Sequence, residues 1–198
     1  MFLMLYPDME LEGDTITIDK HLNHLDKFVI GFLKVFEKHS SYVLVSGYVS
    51  ILLGRSRISE DIDLLCPTLN KESFLTLHDD LLKAGFYCLN ADDTDELYDT
   101  LNTRHSIRYA KEHNPLPNME VKFAHTRAHK AALKNRITVK LPKTMMRLSP
   151  LELQIIYKEQ VLGSDKDKED ALHLRKVFDQ RLSTEKLNYY ERVVREDG

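Results

Sequence analysis

A chain of 198 residues, 42% hydrophobic and 30% charged with no low-complexity tract, can bury one core, or one core with a small helical appendage. Its net charge of −3 excludes general attraction to nucleic acid, so any polyanion site must be local. Cys66 and Cys88 stand alone without CxxC spacing, which excludes a disulfide framework and leads us to expect a reduced, cytoplasmic protein.

The start, MFLMLYPDMELEGD, is apolar for only a few residues, lacks a basic lead and turns acidic. Neither a signal peptide nor a membrane span is expected there, and no membrane partner. From His21 to Phe36 the apolar residues Leu22, Leu25, Val29, Phe32, Leu33 and Phe36 recur at helical spacing, so a sheet-packing helix is expected. YVLV then reads as a short buried strand, SGYVSILLG as a turn entering a helix closed by Gly54, and DIDLL as a strand ended by Pro67. NKESFLTLHDDLLKAG reads as a helix capped by Asn70 and closed at Gly85, followed by the strand FYCL. ADDTDELYD is expected as an acidic, solvated loop or irregular turn. HSIRYA and MEVKFA alternate as strands around the turn-rich KEHNPLPN and suggest a hairpin.

The last third changes character. From Val121 to Leu151 there is no Asp or Glu, whereas Lys122, Arg127, Lys130, Lys134, Arg136, Lys140, Lys143 and Arg147 are all basic. RITVKLP is expected as one more strand. Ser149, Pro150 and Glu152 form a capping-box pattern that should start a helix running to Gly163. A last helix is expected from Asp165 to Leu182. The layout expected is an α/β portion over residues 1–125 and a mainly helical portion over 126–198.

One feature of the α/β portion is costly. Asp61 and Asp63, two apart in a strand, project side by side while Ile62 and Leu64 point to the core. On a water-facing edge strand the cost is small. Packed against a sheet, the pair needs a counter-charge, and Mg²⁺ takes one or two carboxylates together with substrate phosphates. Upstream, strand, Ser46-Gly47 and helix leave backbone N–H groups at a helix start, an arrangement suited to phosphate, with Gly47 permitting close approach. A phosphate cradle followed by a carboxylate pair is equipment for nucleotidyl transfer.

The stretch VSGYVSILLGRSRISEDIDLL resembles the nucleotidyltransferases of the polymerase-β type, closest to minimal members related to AbiEii-type toxins and to antibiotic-modifying enzymes. Their pattern, Gly-x-x-Arg-x-Thr-x-Asp-Ile-Asp-Leu, meets Gly54, Arg57, Ser59, Asp61, Ile62, Asp63 and Leu64 here, and Ser46 stands where many members carry a first glycine. LSPLELQIIYK and KDKED resemble that family's later helices, and place Lys158 on the stripe shared by Leu151, Ile155 and Leu162. Lysine on such a stripe can also simply snorkel to water. Asp167 and Asp170 read as first-turn acids that suit the helix dipole, as partners for lysines, or as residues that position substrate.

The resemblance implies an α/β core with a mixed sheet flanked by helices, plus a C-terminal helical portion. It further implies an NTP donor and two Mg²⁺ ions held by Asp61 and Asp63 with a third acid from a later strand. Glu120 is the best candidate, and Asp92, Asp93, Asp95 and Asp99 compete with it. Ser46, Gly47, Arg57 and Lys158 would hold the triphosphate, though Arg57 could equally make a surface salt bridge. The acceptor stays open: an RNA such as tRNA, as in a toxin with a cognate antitoxin; a small hydroxylated molecule of the aminoglycoside or lincosamide kind; or none, in a non-catalytic nucleotide-binding protein.

Overall fold

The computed structural model describes residues 9–197; Met1–Asp8, most of the apolar start, lie outside them. The chain opens with strands β1 (Met9–Glu12) and β2 (Thr15–Ile18), helix α1 (His24–Phe36), strand β3 (Val43–Val45) and helix α2 (Ser46–Leu52). It continues through β4 (Asp61–Cys66), α3 (Lys71–Lys83), β5 (Phe86–Cys88), α4 (Thr94–Asn102), β6 (Ile107–Lys111) and β7 (Asn114–Phe123). Then come α5 (Arg127–Lys134), β8 (Ile137–Leu141), β9 (Thr144–Leu148), α6 (Leu151–Tyr157), α7 (Asp165–Val177) and α8 (Thr184–Arg195). This is the mixed α/β fold that the sequence pattern calls for.

The residues group into two compact units. The first takes the chain up to Lys20, then Val43–Ile58, then everything from Thr126; the second takes His21–Tyr42 and Ser59–His125.

In the first unit the strands lie in the order β1-β2-β8-β9-β3. β1 and β8 each run antiparallel to their hairpin partners β2 and β9, while β2 pairs β8 and β3 pairs β9 in parallel, with Leu44 opposite Leu148. α6 continues into a single π-type turn, Lys158–Leu162, which ends at Gly163 in the left-handed conformation, φ 65°. Gly163 supplies the helix stop expected of it.

In the second unit the order is β4-β7-β6-β5, with β4 parallel to β7 and the other pairs antiparallel. Ile62, Leu64, Tyr109, Met119 and Val121 face the core, all nearly inaccessible. α1 lays its Phe28, Phe32 and Phe36 stripe into that core. The Phe32 ring meets Phe86 edge-on at 5.2 Å and lies 5.8 Å from Tyr109. Each such ring contributes roughly 1.5–3 kcal/mol by burial.

Several local readings change. The acidic run expected as a loop is the start of α4: the Asp93 carboxylate accepts from the N–H groups of Asp95 and Glu96, and Leu97 and Leu101 are buried. Acids gathered at a helix start satisfy its free donors and its dipole, so here they signal helix. Ser149 does not cap α6. Its N–H donates to the Leu44 carbonyl at 3.0 Å, and Pro150 takes the cap position with no side-chain bond. The Glu152 carboxylate instead accepts from the Ser183 N–H at 3.0 Å, at the start of α8. The helix expected to reach Leu182 stops at Val177, and α8 is a further helix. β1, β2 and β9 are likewise additions. No helix among the described residues is long and apolar enough to cross a membrane.

Candidate functional site

Strand register builds one polar face in the second unit. Asp61 lies opposite Asn118 and Asp63 opposite Glu120 on the parallel neighbour β7, while Arg108 of β6 lies opposite Glu120 on its other side. Because strand side chains alternate, Asp61, Asp63, Asn118, Glu120, Lys122 and Arg108 all project from the side opposite the core. Three carboxylates and two cations thus share one face.

Their contacts are specific. Asn118, 3% exposed, donates from Nδ2 to Asp61 Oδ1 at 2.7 Å, which orients that carboxylate. The Lys122 ammonium lies 2.5 Å from Glu120 Oε1 and 3.3 Å from Asp63 Oδ1, bridging the two acids. Arg108 donates from Nε and Nη2 to Glu120 Oε2 at 3.0 and 2.7 Å. Burial alone would push the Glu120 carboxyl up, but the Lys122 ammonium, the Ser106 hydroxyl and the Arg108 charge outweigh it and hold it below its ordinary value. Burial would lower Lys122, yet Asp63 and Glu120 raise it. Much of the counter-charge that the acids require therefore comes from the protein itself.

The fit of a divalent cation follows from the donor set. Among the described residues no three His, Cys, Asp or Glu side chains form a cluster that could hold a metal. The pair Asp61 and Asp63 does offer hard carboxylate oxygens on one face, and beside it Asn118 Oδ1 is buried with no hydrogen-bond partner. Two carboxylates and an orphaned amide oxygen suit Mg²⁺, which completes its shell with water and substrate phosphate. Glu120 fits less directly, because both its oxygens are taken by Lys122 and Arg108.

The remaining expected residues lie in the first unit. Ser46 begins α2 at φ 63°, a left-handed backbone that favours glycine, and this gives a physical reason for the glycine common in the resembling family. Its N–H donates to Gln154 Oε1 at 3.2 Å. Gly47 follows in the first turn of α2 and is buried. Arg57 and Lys158 meet at Asp170, which is fully buried. Arg57 Nη1 lies 3.0 Å from one Asp170 oxygen, and Lys158 Nζ lies 2.8 Å from the same oxygen and 3.1 Å from Asp167 Oδ1. Arg55 completes the cluster with pairs to Asp170 and Glu169. Lys158, 1% exposed, does not snorkel; it is held by two carboxylates. Arg57 Nε is buried with no hydrogen-bond partner. Asp170 is thus the shared anion of three cations. Asp167 is held below the ordinary carboxylate value: burial opposes this, and the Ser164 hydroxyl and Lys158 overcome it.

Asn118 and Arg108 escape a reading of the sequence alone. Asn118 stands two residues before Glu120 and so shares its face, a signal available from strand alternation, but its pairing with Asp61 depends on the register. The expected hairpin puts the strand of Arg108 beside that of Glu120, but only the register sets the two residues opposite each other.

No protein-family model matches the chain, and no curated protein matches it. Among solved structures, the fold is similar to that of the lincosamide antibiotic adenylyltransferase LnuA in its lincomycin-bound form. The TM-score is 0.52 at 12% identity, covering 80% of this chain and 99% of that one. It is also similar to an antigenic nucleotidyltransferase-like protein from Paracoccidioides brasiliensis, with a TM-score of 0.53 at 15% identity and 86% of each chain covered. The fold is therefore of the nucleotidyltransferase type.

Proposed function

We propose that this protein is a Mg²⁺-dependent nucleotidyltransferase, moving a nucleoside monophosphate from an NTP to an acceptor hydroxyl with release of pyrophosphate. The observation that carries this reading is the pair Asp61 and Asp63, presented on one face of β4 beside the orphaned Asn118 oxygen, in a fold of this type. Asp61 and Asp63 would hold the divalent ions, two by the family resemblance. When bound, these supply charge neutralisation for the triphosphate and acidify the acceptor hydroxyl.

The residues divide the remaining work. Asn118 fixes the orientation of Asp61. Glu120 is the third carboxylate in this reading: it lies opposite Asp63 and is kept ionised, and Lys122 or Arg108 would have to release one of its oxygens before it ligates or takes the proton of the attacking hydroxyl. Ser46 and Gly47 hold triphosphate oxygens. Arg57 contributes positive charge toward the phosphates, and Lys158, enclosed by Asp167 and Asp170, acts by fixing Asp170 against Arg57. The acceptor in this reading is RNA, supported by the acid-free basic stretch from Val121 to Leu151.

The test is transfer of label from α-labelled NTPs with Mg²⁺, offered total tRNA in one arm and a panel of lincosamides and aminoglycosides in the other. Labelled RNA is expected. Asp61→Asn and Asp63→Asn should each lower the rate at least about a hundredfold. Their melting temperatures should stay within about 3 °C of the parent. Label on a small molecule would move the acceptor to that class. No label with any NTP, and no metal-dependent NTP binding by calorimetry, would refute the enzymatic reading.

A further inference from the structure

A groove of about 480 Å³ runs between α5 and α8 in the first unit, and none of its lining residues belongs to the candidate site. α5 supplies Arg127, Lys130 and Lys134, α8 supplies Tyr189 and Arg192, and Glu196 follows at its C-cap. The spacings, three and four apart along α5 and three and four apart along α8, put each set on one helical stripe. Ala131 and Val193 form the apolar floor.

Two features distinguish this groove from an ordinary solvated helix surface. Some exposed cations of this chain are neutralised by acids, Arg127 by Glu196, Arg175 by Glu159 and Arg195 by Glu191. Lys130, Lys134 and Arg192 line the groove, and among the described residues none of them has an acidic partner. The charge of the groove is therefore strongly positive even though the chain as a whole is negative. Secondly, Tyr189 stands beside these cations 43% exposed, with its ring held edge-on at 5.0 Å by the buried Tyr190 ring. A rigid, exposed aromatic next to unpaired cations is the equipment for stacking a base while the neighbouring phosphates are neutralised.

The length fits as well. Lys130 to Lys134 covers about 6 Å of helix, about two steps of a stacked strand at 3.4 Å each, and Arg192 adds a third cation from α8. A single phosphate would use only part of such a row.

We propose that the α5–α8 groove binds a single-stranded polynucleotide, with Lys130, Lys134 and Arg192 on successive phosphates and Tyr189 against a base. This deepens the acceptor side of the function proposed above and rests on it for its biological meaning, but the binding itself can be measured without catalysis.

The experiment is fluorescence anisotropy of the full chain with a fluorescein-labelled 20-nucleotide RNA and with DNA of the same sequence, over a series of salt concentrations. Three phosphate contacts predict a log–log slope of affinity against salt of about −2. The triple variant K130Q/K134Q/R192Q should lose at least about tenfold in affinity at low salt and most of that slope. Tyr189→Ala should lose about fivefold with the slope unchanged, as expected for stacking. K140Q/K143Q, basic residues outside the groove, should bind within about twofold of the parent; an equal loss there would overturn the assignment to this groove. So would triple-variant binding equal to the parent at an unaltered melting temperature, or capture of phosphatidylserine vesicles with no binding of either nucleic acid. Polynucleotide binding with neither transfer of label nor metal-dependent NTP binding would sink the enzymatic reading alone, and transfer to a small molecule without polynucleotide binding would sink the groove alone.

Discussion

Replacing Lys122 by methionine keeps the aliphatic stem and removes the ammonium that bridges Asp63 and Glu120. The two contacts are 3.3 and 2.5 Å long, and the side chains involved are 33%, 22% and 11% exposed for Lys122, Asp63 and Glu120. Exposed pairs contribute about 0–1 kcal/mol, and breaking a buried pair costs about 3–5 kcal/mol. Partial exposure, and the Arg108 contact that Glu120 retains, place Lys122→Met between these limits at about 2 kcal/mol. For a chain of this size that is a fall of about 4–8 °C in melting temperature. The pH dependence has a definite sign. Glu120 is depressed in the folded state, so the stability it contributes is present above its unfolded value of about 4.3 and is lost as pH falls through the lower folded value. Lys122 is raised, so its contribution is present below about 10.4 and is lost as pH rises through the higher folded value. The difference between parent and variant should be full near neutral pH and shrink toward both extremes. Differential scanning fluorimetry from about pH 3 to 11 measures it. A neutral-pH difference below about 1 °C, or one that persists undiminished at pH 3, would refute the argument that Lys122 stabilises these acids.

Asp170→Asn should cost about 3–5 kcal/mol in urea unfolding, because it leaves Lys158, Arg55 and Arg57 without their shared buried carboxylate; a loss under about 1 kcal/mol would refute that role. Ser46→Gly should raise stability by about 0.5–1 kcal/mol, since the residue sits at φ 63°, and a fall in denaturation midpoint would count against that strained backbone. Tyr109→Phe removes the hydroxyl 2.8 Å from His78 Nδ1 in the core and should cost about 1–3 kcal/mol; His78→Leu combined with it should be less destabilising than the sum, measured as a double-mutant cycle.

Local pattern in the amino-acid sequence was enough to locate α1, α3 and the short buried strands, because helical and strand periodicities are written within a few residues. It also marked Asp61, Asp63 and Ser46, since their cost or rarity is visible in a single segment. The acidic run at Asp92–Asp99 misled because charge was read as solvation, whereas Asp93 and its neighbours serve a helix start. Ser149 misled because a strand pairing with Leu44 took the N–H that a capping box would have left local. What only the tertiary structure decided was partnership. Lys122 bridging two acids, Asn118 turned toward Asp61, Glu152 capping a helix 31 residues away, and Asp170 gathering three cations all arise from register and packing between distant segments. Electrostatic and hydrogen-bond energies fall off within a few ångströms, so they depend on which side chains meet in space, and no one-dimensional pattern specifies that.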